Sequence, residues 1–331
     1  MAVTKLDLRS NSDPTTILLV CDATFETGSG HVMRQITLGT ALISVGFKPI
    51  LFCFSIPDAL VERANEFGLT VHKRLKLCDS PDLSVEILST NCAIAVFDGY
   101  EFTKETIGEI FNNNIRVVLI DDNGDMANFP CHLILNQNLH ADAAMYENNE
   151  SAPQLLLGLS WALIRPEVVA QINKVSTSEK SGIFLSIGGT DHLGITPALR
   201  EGISQTFKEE VTATTGVLTG TTLTPLDMAF TMAKARVGII ACGTTTWEAV
   251  CLSLPFLGIV TAENQVGVGN SLVKHGIAQI VDCRSQVDIT KILDEIERLL
   301  TRQSIFSEEL KPLIDGDGAL RSAEQIYSLI R

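Results

Sequence analysis

Short apolar runs that alternate with helix-spaced segments constrain this chain more than any other feature. The runs Ile17–Val20, Pro49–Phe54, Ala93–Phe97, Val117–Ile120 and Leu133–Leu135 read as strands, and His31–Val45, Pro57–Phe67, Leu83–Ser89 and Lys104–Phe111 as helices. Unbroken apolar runs suit strands covered on both faces, which is the situation in a parallel sheet crossed by helices. Gly46 and Gly68 fall where helix C-caps are expected, and Ser80-Pro81 where a helix can start.

The same alternation begins again after Asn173–Ser181, a polar stretch rich in Ser, Thr and Lys. Strands are expected at Ile183–Ile187, Val211–Val217, Val237–Ala241, Phe256–Val260 and Ala278–Val281. Helices are expected near Pro197–Phe207, Pro225–Ala235, Thr245–Leu252 and Gln265–His275, with a helical tail after Ile289 that Asp315-Gly316-Asp317-Gly318 splits in two. At 331 residues the chain is long for one core, and two domains of roughly 150 residues are the natural division. The expected fold is α/β: two facing Rossmann-like domains with parallel sheets and a cleft between them. The expected boundaries are 1–172 for the first domain, 173–181 for the linker and 182–331 for the second, with the last helix packing back on the first.

Composition narrows the function. With 45% hydrophobic and 19% charged residues the chain is an ordinary globular one. A net charge of −14 argues against nucleic acid or an anionic membrane as the partner. The eight cysteines are scattered, without a C-x-x-C pair, so neither zinc nor a disulfide framework is expected, and a cytoplasmic setting is. No apolar run approaches the roughly 20 residues that span a bilayer. No metal and no cofactor are expected.

Three loops carry candidate chemistry. Gly28-Ser29-Gly30-His31 joins the first strand to the first helix, where backbone N–H groups and the positive end of the helix dipole attract anions. The third glycine of a dinucleotide fingerprint is replaced by Met33, and Phe54-Ser55 stand where an acidic residue would follow the next strand, so NAD is disfavoured. His31 is the candidate base, with Arg34 beside it. In the second half, Gly188-Gly189 follows a strand, and Gly243-Thr244-Thr245-Thr246 opens a helix with no basic residue nearby in sequence. That chemistry suits a diphosphate, with Glu248 placed to accept from a ribose diol. Asn264 and Gln265 can orient a sugar or a phosphate, while Asp98, Tyr100 and Asp121-Asp122 end two strands and are expected to face the cleft, where paired carboxylates can raise one another's pKa or hold a catalytic histidine. Helix capping and turn chemistry explain many such residues equally well.

Taken together the motifs resemble the UDP-sugar hydrolases of the pseudaminic acid pathway and the related spore-coat polysaccharide proteins. These have the GT-B fold and are similar to the transferase that adds N-acetylglucosamine to lipid-linked muramyl peptide. The matching segments are Gly28–Arg34, Asp98 with Tyr100, Asp121-Asp122, Leu135–Asn138, Tyr146, Gly158–Glu167, Ser186–Asp191 and Gly243–Glu248 with Asn264-Gln265. The resemblance implies metal-free hydrolysis of a UDP-activated 2,4-diacetamido-2,4,6-trideoxy sugar, releasing UDP. On this reading His31, Asp98 and Tyr100 are catalytic. Gly28, Gly30, Arg34, Asn264 and Gln265 bind the substrate, and Gly188, Gly189, Gly243, Thr244, Thr245 and Glu248 hold the nucleotide. Two positions depart from the family, both on the sugar side. Val20-Cys21 stand where a basic residue usually precedes the Asp-Ala of the first loop, and Gly99 stands where a bulkier polar residue separates Asp98 from Tyr100. The alternatives are a transferase on the same scaffold, against which the acidic charge counts, and a non-catalytic nucleotide-sugar binder.

Overall fold

The structure is a computed structural model that describes residues 15–24, 28–77, 79–80, 82–176, 179–214, 223–310 (303–310 by backbone alone) and 313–331. In the first half, β1 (Thr15–Cys21), α1 (Gly30–Ser44), β2 (Phe47–Cys53), α2 (Asp58–Glu66) and β3 (Thr70–Lys73) are followed by α3 (Leu83–Leu88), β4 (Ile94–Asp98), α4 (Lys104–Asn112), β5 (Arg116–Ile120), β6 (Leu133–Asn136), β7 (Gln154–Leu157) and the short α5 (Pro166–Val169). In the second half come β8 (Ile183–Ser186), α6 (Thr196–Phe207), β9 (Val211–Thr214), α7 (Pro225–Lys234), β10 (Val237–Ala241) and α8 (Thr244–Cys251). The chain closes with β11 (Phe256–Val260), α9 (Val266–Lys274), β12 (Gln279–Asp282), α10 (Ile289–Leu310) and α11 (Gly318–Ser328).

Two sheets result, of seven and five strands, in the orders β3-β2-β1-β4-β5-β6-β7 and β9-β8-β10-β11-β12. Every pairing between the named strands is parallel. The pleat explains why the strand sequences look uniformly apolar: Ile17, Leu19 and Cys21 of β1 face one core layer, while Leu18 and Val20 face the other. Strands β3 and β7, which the sequence reading did not anticipate, are the two edges of the larger sheet. The expected strand at Val211–Val217 is seen as Val211–Thr214; residues 215–217 lie outside the described residues, as do Pro81 and part of the linker stretch.

The chain crosses between the sheets twice. After β7, Leu159, Ala162, Ile164 and Val168 join the core of the second sheet, with α5 against α7 and α8. At the far end, α11 returns to the first sheet and lies on α1, burying Ala319, Ala323 and Ile326. Gly318 at its start comes so close to the Trp161-Ala162 backbone that a Cβ would sit 2.3 Å from the Ala162 carbonyl oxygen. Among the described residues no helix is long and apolar enough to cross a membrane, and no cluster of His, Cys, Asp and Glu is arranged to hold a metal ion.

Candidate active site

Strand order decides where the candidate residues meet. In each sheet the order reverses beside one strand, between β1 and β4 in the first and between β8 and β10 in the second, and ligands bind outside the carboxyl ends of such pairs. The loop after β1 carries Gly28, Gly30 and His31, and the end of β4 carries Asp98 and Tyr100. The loop after β8 carries Gly188 and Gly189, and that after β10 carries Gly243, Thr244 and Thr245. The two switch points face each other across a cavity of about 670 Å³.

On the first-domain wall, His31 Nδ1 is 2.6 Å from Asp98 Oδ1, which leaves Nε2 as the ring nitrogen not engaged by Asp98. Arg34, one helical turn on, binds two carboxylates at once. Its Nε and Nη2 reach Asp98 at 2.7 and 2.5 Å, and its Nη1 and Nη2 reach Asp122 at 2.8 and 2.9 Å. Burial works to raise both carboxyls, but the Arg34 guanidinium outweighs it and holds Asp98 and Asp122 below the usual carboxylate range. The Tyr100 hydroxyl donates to Asp122 Oδ2 at 3.1 Å, and its ring meets His31 edge-on at 5.1 Å. Burial and the Asp122 charge push that phenol up, so it is a neutral donor at pH 7.

Asp98 corrects one expectation. It does not face the cleft: it is 0% exposed and stands behind His31 and Arg34 as their common acceptor. Asp122, expected only as half of a pair, lines the cavity, whereas Asp121 is buried and caps the turn at Asn123 and Gly124. The two positions that depart from the resembled motifs have the following surroundings. Arg74, arriving from the end of β3, pairs with Asp22 and so brings a basic group to the first loop through space. Gly99 sits close to Phe102: a Cβ there would lie 3.2 Å from the ring, which would have to give by a few tenths of an ångström.

The second-domain wall presents glycine turns and a helix N-terminus alongside side chains such as Thr245, Trp247 and Asn264. Gly243 precedes α8 with no side-chain cap and no acid in the first turn; Thr246 N donates back to Gly243 O at 3.0 Å, and the amides of Thr244 and Thr245 stand at the uncapped end. Helix α1 begins the same way at Ser29. The two ends nearly touch, for a Cβ on Gly30 would lie 3.7 Å from Thr244 Oγ1, and one on Gly189 would lie 3.0 Å from Ser29 Oγ. Gly188 holds φ at +83°, a turn that side chains resist. Two helix N-termini and a glycine turn therefore converge on one spot.

Glu248 and Gln265 behave differently from expectation. Glu248 has a basic partner that sequence distance hid: Arg165 grips both its oxygens, Nη2 at 2.6 Å from Oε2, in a buried pair on the cavity wall. Gln265 lines the cavity, but its amide oxygen accepts from Thr261 N at 2.8 Å and ties down its own loop. Asn264 reaches across to the Tyr100 hydroxyl at 3.4 Å. Sequence reasoning also passed over Asn138 and Trp247 as members of the site; both line the cavity and bond to each other.

No family model matches the chain. It is 21% identical to the spore coat polysaccharide biosynthesis protein SpsG of Bacillus subtilis, over 92% of this chain and 95% of that one. It is also 21% identical to an uncharacterized protein of Methanocaldococcus jannaschii over 54% of this chain, a match that spans only 38% of the longer relative. Among solved structures, the kitacinnamycin glycotransferase superposes with a TM-score of 0.62 at 14% identity, covering 96% of this chain and 99% of that one. The spinosyn rhamnosyltransferase SpnG complexed with thymidine diphosphate gives 0.62 at 14% identity, covering 96% and 100%. MurG of Acinetobacter baumannii gives 0.61 at 12% identity, covering 95% and 100%. The fold is GT-B.

Proposed function

We propose that this chain binds a nucleoside diphosphate sugar, with UDP as the nucleotide, and transfers the sugar from its anomeric carbon to an acceptor hydroxyl. Residues 1–172 form the sugar side and 182–331 the nucleotide side. The observation that carries this reading is the meeting of the α1 N-terminus, which bears His31 and its Asp98 partner, with the α8 N-terminus and the Gly188-Gly189 turn of the other domain. Backbone N–H groups there would receive the diphosphate and the charge that grows on it as the bond to carbon breaks. His31 Nε2 would take the proton of the attacking hydroxyl, with Asp98 fixing the ring through Nδ1. The cavity volume of about 670 Å³ lies in the range of small-molecule sites. The solved glycosyltransferases of this fold, one of them holding thymidine diphosphate, support transfer over the hydrolysis that the motif resemblance implies.

One observation favours water as the acceptor. His31 is only 7% exposed, and Tyr100 stands edge-on to it with Asn264 bonded across the gap, so the space beside the base suits a small nucleophile. Incubation with a panel of UDP-sugars, with and without sugar acceptors, separates the two. UDP release that requires an acceptor supports transfer, and release without one supports hydrolysis. Absence of both UDP release and UDP binding would discard the nucleotide-sugar reading.

A further inference from the structure

Two hydrogen bonds run from the second domain to the surroundings of His31. Asn264 Nδ2 reaches the Tyr100 hydroxyl at 3.4 Å, long and at an exposed position. Trp247 Nε1 donates to Asn138 Oδ1 at 3.1 Å, between side chains that are 1% and 3% exposed. The second contact is shielded from water, which makes it the stronger tie.

Asn138 is locked on every side. Its Nδ2 donates to Asp122 Oδ1 at 2.9 Å and to Asn136 Oδ1 at 3.1 Å, and its backbone N–H donates to the same Asn136 oxygen at 3.1 Å. The amide can sit only one way round, because an indole N–H is purely a donor and an ionised carboxylate purely an acceptor. From Asp122 the chain of bonds continues through the Arg34 fork to Asp98 and on to His31 Nδ1.

Trp247 lies three residues beyond Thr244 on the same helix, so its indole moves rigidly with the N-terminus that the proposed function gives to the diphosphate. Glycosyl transfer needs that diphosphate and the base on the opposite wall to be aligned, and a misplacement of 1 Å is costly in rate. From this we propose, resting on the reading of the cleft as a nucleotide-sugar site, that Asn138 is a positioning residue. It sets helix α8 in register with His31 through the path Trp247–Asn138–Asp122–Arg34–Asp98. Its side-chain amide is engaged by protein partners on both ends, and it acts on the rate by holding the two walls together.

The test uses the full chain and the variants Trp247→Phe, Asn138→Ala and the double variant. Each single change should lower kcat by about three- to tenfold, the weight of one buried hydrogen bond, while leaving the Kd for UDP by calorimetry within about twofold of wild type. The double variant should lose no more than the worse single. Histidine NMR gives a readout independent of turnover: UDP should move the His31 imidazole signal in the wild type and move it much less in Trp247→Phe, which keeps an aromatic ring in place. Losses that multiply in the double variant, or a UDP affinity that falls in step with kcat, would overturn the assignment. So would a Trp247→Phe protein that keeps the wild-type kcat and His31 response; in that case the nucleotide reading stands and the positioning role falls. A wild-type chain that does not bind UDP removes both.

Discussion

On the first-domain wall of the cleft, charge sits on side chains that are locked to one another; the second adds glycine turns and a helix N-terminus that no side chain caps. Arg34 is shared between two carboxylates and His31 leans on one of them, so each group there depends on its neighbours. Gly188, Gly189 and Gly243 carry no side chains, and Thr244 and Thr245 begin a helix whose first turn lacks a cap. Under the proposed function the contrast separates two tasks. Handling a proton requires a titratable group held in one orientation, whereas receiving a diphosphate requires close approach and a fixed dipole. Glu248 on the second wall is neutralised by Arg165, which arrives from the end of the first half of the chain.

The sharpest way to break this division is His31→Asn. It should lower kcat by about 10²–10⁴-fold, the usual weight of a general base, and leave UDP affinity by calorimetry nearly intact. An equal loss of UDP affinity would show that the walls do not divide the work. Arg34→Met comes next. It leaves the buried Asp98 and Asp122 carboxylates without their counter-charge, and denaturant titration should show a loss of about 3–5 kcal/mol in stability.

On the opposite wall, Gly189→Val should raise the KM for the nucleotide sugar about tenfold, since the added carbons meet Ser29 and crowd the anion seat. Thr244→Val removes one hydroxyl and retains the backbone amide. It should cost about three- to tenfold in KM, and a larger effect would mean that side chains, not amides, hold the phosphates.

Acid stability separates the walls as well. Asp98 and Asp122 are held low in the folded chain, so the stability they contribute is complete above the ordinary carboxylate range. It is lost as pH falls through that range toward their folded values. Unfolding free energies measured from pH 7 downward should fall less steeply in Asp122→Asn than in the wild type. An unchanged slope would assign the acid sensitivity elsewhere.

Much of the framework was legible because a parallel sheet writes itself as unbroken apolar runs. Strand β1, TTILLVC, has its last five residues buried. The two strands that escaped notice show the limit of that signal. Edge strand β3, TVHK, has no fully buried residue, and edge strand β7, QLLL, has a single one, because an edge needs less apolar cover. The site followed a similar rule. Residues on loops after strands could be placed on the cleft from the chain's alternation alone. Pairings over long sequence distances could not, since no local pattern links Arg165 to Glu248, Arg74 to Asp22 or Trp247 to Asn138. Arg165 had a visible marker in Leu163-Ile164-Arg165-Pro166-Glu167, where Pro166 starts α5 and fixes the arginine just before it. Asp98 was misplaced for a different reason: the end of a strand fixes which loop a residue adjoins, not whether its side chain turns toward solvent or inward.

The return of α11 onto α1 has a consequence for how the protein is made. Helix α1, which carries both His31 and Arg34, is covered by Ala319, Ala323 and Ile326 of α11, far later in the sequence. A ribosome therefore releases the first sheet long before the piece that completes its core has been synthesised. The sheet translated first waits for α11, and the proposed base gains its full support only once Ala319, Ala323 and Ile326 have left the exit tunnel.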